Sequence, residues 1–111
     1  MTRESSLWPW LLQRLSGIFL SLGVLIHFWM LHSRGGPPTY NEMVTRLGSP
    51  GWISFYLFLL AVLIYHGLNG FWAIFLDFDT STSSKAVFKL VLYIIGLGTF
   101  ATGALILGWK P

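Results

Sequence analysis

The sequence predicts an all-α integral membrane protein with three transmembrane helices and a short amphipathic helix between spans one and two. Apolar residues make up 54% of the 111 residues, and charged residues only 10%, far below the roughly 25% usual in soluble domains. The apolar residues form three runs, each long enough to cross a bilayer. Aromatic residues reach 17%, which is typical of helices anchored at membrane interfaces.

The chain is predicted to form a single domain, residues 1–111, with spans at about 7–32, 52–78 and 85–109. Ser5 or Ser6 is expected to cap the first span, with Pro9 in its first turn, where a missing N–H does no harm. Ser84 is the expected cap of the third span. Polar segments rich in glycine, proline, serine or threonine separate the spans and end each helix.

The loop between the first two spans carries a signal for a short helix. Thr39 and Glu42 form the Thr-x-x-Glu pattern of a capping box. The apolar residues that follow fall on one side, and Gly48 is the expected stop. We therefore predict an amphipathic helix that lies on the membrane surface.

The formal charge of +3 comes from seven Lys and Arg spread along the chain. Because they form no basic cluster, nucleic-acid binding is not indicated, and the charges are expected to set topology. A slight excess on one side favours a cytoplasmic N-terminus. The cations on that side are Arg3, Arg14, Lys85 and Lys89, against Arg34, Arg46 and Lys110 on the other.

The stretch 65–78 carries a histidine deep inside an apolar run. At about 100° per residue, one face of this helix carries His66, Gly70, Ala73 and Asp77. Histidine is costly in lipid, so it must face protein, water or a cofactor. An imidazole above a glycine-floored groove suits a planar metal macrocycle. The alternative is a neutral histidine that hydrogen-bonds a neighbouring helix.

His27, on the first span, shares a face with Ser16, Leu20 and Gly23. With a cytoplasmic N-terminus it lies in the outer half of the membrane, whereas His66 lies near the midplane. At such different depths the two are poorly placed to bind one iron. If both are ligands, each serves a separate haem whose second axial ligand comes from another chain. His27 has the same alternative role as a packing residue.

Three polar side chains are candidates for quinone chemistry. Arg14 either anchors its helix at the interface or binds a haem propionate or a quinone carbonyl, aided by Ser16 and Gln13. A quinone needs donors at its two oxygens that stabilise the charge developing on reduction. Asp77 is either an ordinary carboxylate at a helix end or a proton relay at the quinone site.

Two strings in the sequence carry a resemblance to a known family. Gln-Arg-Leu-Ser-Gly at residues 13–17 and His-x3-Gly-x-Trp-x4-Asp-Phe at residues 66–78 resemble the small membrane-anchor subunits of succinate dehydrogenase and fumarate reductase. The second string is most similar to the D-type anchor, and the first is similar to the C-type as well. The resemblance covers the whole chain.

The resemblance implies that His66 is an axial ligand of haem b, above Gly70, and that Arg14 and Ser16 bind quinone or haem propionates. It implies two haems if His27 is also a ligand, because single-haem anchors generally lack such a histidine. Phe78 departs from the family, in which a tyrosine at this place donates a hydrogen bond to quinone.

The complex implied by the resemblance contains a flavoprotein, an iron–sulfur subunit and a second membrane-anchor subunit, in the cytoplasmic membrane of a bacterium or archaeon. Three such complexes could associate as a trimer, which the glycine-rich third span would allow. Three alternatives stay open at this point. They are a haem-free scaffold or assembly protein, a fumarate reductase anchor running the reverse reaction, and an anchor of another haem-b enzyme such as a hydrogenase.

Overall fold

The computed structural model describes residues 4–109, with side chains from residue 7 onward. Four helices make up this part of the chain: α1 (Glu4–His32), α2 (Tyr40–Gly48), α3 (Pro50–Leu76) and α4 (Thr82–Gly108). α1, α3 and α4 are long and apolar enough to cross a membrane. At 1.5 Å per residue each measures about 40 Å, against a hydrocarbon core of about 30 Å. The predicted fold class is confirmed.

The three long helices begin two or three residues before the predicted starts of the spans, although the apolar span within α1, Leu7–His32, is the one predicted. α1 includes Ser5 and Ser6, whose side chains lie outside the described residues, and Pro9 lies in its second turn. A proline ring obstructs the carbonyl four residues earlier, which here belongs to the first turn. The disturbance therefore stays at the end of the helix, and the prediction of Pro9 in the first turn was wrong.

The cap of α4 also differs from the prediction. Ser81, not Ser84, is the N-cap, and its Oγ accepts a hydrogen bond from the N–H of Ser84 at 3.1 Å. The preceding linker offers several hydroxyl groups, each able to cap. Ser81 extends the helix at its N-terminal end.

α2 begins with the predicted capping box. The hydroxyl of Thr39 accepts from the N–H of Glu42 at 3.3 Å, and the Glu42 carboxylate accepts from the N–H of Thr39 at 2.8 Å. The carboxylate also binds Arg34 at 3.1 Å. These contacts, the Thr39 N–H foremost, hold the pKa of Glu42 below its usual value of 4.5.

The lowered pKa of Glu42 makes α2 sensitive to acid. A carboxylate with a depressed folded pKa contributes stability above its ordinary pKa, and that contribution is lost as the pH falls through the folded value. We expect amide hydrogen exchange in α2, corrected for intrinsic rates, to accelerate several-fold below pH 4.5. Glu42→Gln keeps the capping geometry but does not titrate, so it should remove the pH dependence. An unchanged pH dependence in Glu42→Gln would contradict this account.

α3 is the central helix, and α1 and α4 each pack against it in antiparallel fashion. Leucines from α3 lie over glycines of both neighbours: Leu59 over Gly23, Leu68 over Gly96 and Leu60 over Gly103. Only four described residues are buried, namely Ser16, Leu20, Gly23 and Gly96. Most of the apolar surface therefore faces outward, as lipid or partner helices require.

Candidate functional site

Several polar side chains of the membrane-spanning helices meet where α1 packs on α3. Ser16, only 8% exposed, places its Oγ 2.9 Å from Nδ1 of His66. The same hydroxyl donates to the backbone carbonyl of Gln13 at 3.0 Å. His66 is itself only partly buried, and no hydrogen bond reaches its Nε2 from the described residues. Nδ1 of the ring therefore has a hydrogen-bond partner, and Nε2 has none among the described residues.

Glycine at position 17 seats the His66 ring. A Cβ on Gly17 would lie 3.3 Å from Cε1 of His66, tighter than an ordinary van der Waals contact, and 3.9 Å from Nδ1. Gly70, which we expected beneath the imidazole, instead faces Gln13, whose Nε2 would lie 3.5 Å from a Cβ there. The glycine against the ring thus comes from the opposite helix.

Gln13 and Asn69 connect the two helices about one turn from His66. The Gln13 amide donates to the His66 carbonyl at 3.2 Å and accepts from Asn69 Nδ2 at 2.8 Å. Asn69 also donates to the carbonyl of Pro9 at 3.4 Å. Amide side chains that hydrogen-bond across two apolar helices, as these do, fix how the helices align. Sequence reasoning missed Asn69, although a polar residue inside an apolar span was itself a signal.

His27 has a counterpart arrangement farther along the same interface. Its Nδ1 lies 3.3 Å from the hydroxyl of Tyr56, and the two rings meet edge to face with centroids 5.5 Å apart. Each histidine therefore contacts a hydroxyl on the other helix through Nδ1. The sites are 11 residues apart on α1 and 10 on α3, or about 15 Å at 1.5 Å per residue. Tyr56 was not predicted.

Arg14 and Asp77 lie at the same end of the molecule but outside this interface. Arg14 is exposed, and its guanidinium stacks over Trp10 at 4.4 Å from the ring centroid. Asp77 is exposed at the C-cap of α3, with Phe78 exposed beside it. Of the predicted site residues, the structure brings together Ser16 and His66. Among the side chains of residues 7–109, no three His, Asp or Glu gather as a metal-binding group.

Residues 1–106 match the family described as succinate dehydrogenase/fumarate reductase transmembrane subunit. The succinate dehydrogenase hydrophobic membrane anchor subunit of Thermoplasma acidophilum is 27% identical over 96 residues, which are 85% of this chain and 78% of that protein.

The subunit of the same description from Archaeoglobus fulgidus is 29% identical over 99 residues, covering 88% of this chain and 85% of that protein. No solved structure matches the chain. The family match covers nearly the whole sequence, and a transmembrane subunit is consistent with the three long apolar helices. The match confirms the resemblance carried by the strings at residues 13–17 and 66–78. The chain belongs to the succinate dehydrogenase/fumarate reductase transmembrane subunit family.

Proposed function

We propose that this membrane anchor binds haem b through His66 and helps to form a quinone site, so that electrons from succinate reach quinone at the membrane. The observation that carries the proposal is the His66 imidazole, held at Nδ1 by Ser16 and without a described partner at Nε2. A metal-ligating histidine commonly has its second nitrogen hydrogen-bonded in this way.

The residues present fit a haem. Imidazole is an axial ligand of haem iron, and the chain has no cysteine for covalent attachment. Gly17 leaves room for the ring against α1, and partial exposure of His66 leaves it reachable from outside the chain. When bound, haem b supplies a one-electron carrier. The second axial ligand would come from a second membrane-anchor subunit.

A second haem at His27 is part of the proposal. The Tyr56 hydroxyl lies 3.3 Å from Nδ1 of His27, a longer contact than the 2.9 Å between Ser16 and Nδ1 of His66. The separation of about 15 Å along the helices supports two separate sites. The sequence-based argument from depth leads to the same conclusion.

The quinone site is proposed at the end of the molecule that carries Arg14 and Asp77. Arg14 is exposed and can donate to a quinone carbonyl or a haem propionate. Asp77 is exposed and can transfer protons at the site. Ser16, the third predicted residue, already donates its single proton to the Gln13 carbonyl, so in this arrangement it has no proton to donate to a quinone carbonyl.

The anchor belongs to an enzyme complex, and its family implies flavoprotein and iron–sulfur partners. We propose that these subunits dock on the side of Arg14 and Asp77, and that this side is cytoplasmic. The reverse reaction, fumarate reduction, uses the same anchor chemistry. A haem-free scaffold is the second candidate, since the histidine–hydroxyl contacts would also hold α1 against α3.

The test is a dithionite-reduced minus oxidised spectrum of the purified complex. We expect two b-type signals in the wild type, one lost in His66→Ala and the other in His27→Ala. His32→Ala is the matched control, because His32 is exposed and its described hydrogen bond and ring stacking are both with Phe28 of its own helix. Loss in His66→Ala alone would leave one haem. An assembled wild-type complex without a haem signal would support the scaffold instead.

A further inference from the structure

The Ser16 hydroxyl contacts two groups, and only one arrangement of protons satisfies both. A serine hydroxyl carries a single proton together with lone pairs that accept. The Gln13 carbonyl, 3.0 Å away, can only accept, so the serine proton points there. The contact of 2.9 Å to His66 must then be a hydrogen bond from Nδ1–H to the serine oxygen.

We infer that Ser16 is a positioning residue that fixes the tautomer of His66, with the proton on Nδ1 and the lone pair on Nε2. In a neutral imidazole one nitrogen carries the proton and the other accepts. Ser16 thus prepares Nε2 to bind iron before any cofactor arrives. The inference rests on the proposed function, and it assigns to Ser16 a role separate from quinone binding.

The contact of His27 does not fix a tautomer in the way that the contact of His66 does. The Tyr56 hydroxyl lies 3.3 Å from Nδ1 of His27, and no second partner of that hydroxyl is found among residues 7–109. The tyrosine proton can rotate either toward the imidazole or away from it, so neither tautomer is imposed. The chain therefore sets the donor nitrogen at His66 and leaves it open at His27.

Ser16 also influences iron bound at Nε2. A hydrogen bond from Nδ1–H to an acceptor raises the basicity of a histidine ligand. A more basic ligand stabilises oxidised iron relative to reduced iron and lowers the midpoint potential. Removal of the serine oxygen should therefore raise the potential of the haem at His66. Loss of such a hydrogen bond also typically weakens metal binding by about 10–100-fold.

The experiment is a spectroscopic redox titration and haem assay of the purified complex carrying Ser16→Ala, Ser16→Thr or Ser21→Ala. Ser16→Ala should raise the midpoint potential of one haem and lower its retention. Ser16→Thr should restore both, because threonine can donate to the preceding turn in the same way. Ser21→Ala is the matched control, since Ser21 donates to the Gly17 carbonyl at 2.9 Å but is exposed.

Ser16→Cys covers the case in which Ser16→Ala fails to assemble. It is close in size, but sulfur is a weak acceptor, so the potential should shift in the same direction. Wild-type potential and haem content in Ser16→Ala would overturn the inference and leave the proposed function intact. An equal shift in Ser21→Ala would also overturn it, as a packing effect. A wild-type complex without a haem signal would contradict both the inference about Ser16 and the proposed function.

Discussion

The Gly17→Val substitution is expected to eliminate the b-type signal of the His66 haem. A Cβ alone would lie 3.3 Å from Cε1 of His66, and valine adds two methyl groups beyond it. The ring has little freedom to withdraw, because Ser16 holds its Nδ1 at 2.9 Å. Forced overpacking of this kind costs about 1–3 kcal/mol, which is enough to displace the ring from its binding geometry.

Haem content per flavin in the purified complex is the measurement. Gly67→Val is the matched control: Gly67 adjoins His66 in the sequence, yet a Cβ there meets nothing within 4 Å. We expect the control to retain haem, whereas Gly17→Val should lose it and keep any signal that depends on His27. A normal spectrum in Gly17→Val would mean that the ring does not lie against Gly17.

The Gly103→Val substitution is expected to lower the thermal stability of the complex without altering its haem spectrum. A Cβ on Gly103 would overlap the Leu60 side chain of α3. The end of a leucine can rotate away from one added carbon, so Gly103→Ala should be mild. The branched valine leaves less room, and we expect a loss of about 1–3 kcal/mol in the packing of α4 on α3.

Gly98→Val is the control on the same helix, since nothing lies within 4 Å of a Cβ at Gly98. Thermal inactivation and subunit loss, followed in parallel for both variants, measure the effect. The haem spectrum should persist in assembled Gly103→Val, because the contacts described for His66 come from α1. Equal losses of stability in the two variants would show that Leu60 is not the cause.

Much of the fold follows from the apolar pattern. Runs of apolar residues predict three spans, and helical spacing correctly groups Ser16, Leu20 and Gly23 on the face that packs against α3. Helix starts were less predictable. Pro9 and Ser84 each carry a local signal, but neighbouring residues satisfy the same rules, and the helices extend as far as a cap permits.

The partners of the histidines could not be predicted. Helical spacing states which residues share a face, but it does not state at what height one helix meets another. Ser16 was expected at a quinone and instead contacts His66 across 50 positions of sequence. Tyr56 and Asn69 gained their roles in the same way, through the antiparallel alignment of α1 and α3. That alignment depends on both helices at once, so the spacing of residues within one helix cannot predict it.

The α1–α3 and α3–α4 interfaces differ in how strictly they fix the position of one helix along the other. A slip of α1 along α3 by one residue would break the contacts of Gln13, Ser16 and Asn69 together. The contacts between glycines of α4 and leucines of α3 have no such directional demand. Because apolar and aromatic contacts tolerate small shifts better than hydrogen bonds do, we expect α4 to adjust its tilt to bilayer thickness more readily than α1, while α1 and α3 keep the imidazole in place. On this account α4 adjusts to the thickness of the membrane, whereas α1 and α3 keep the histidine in position.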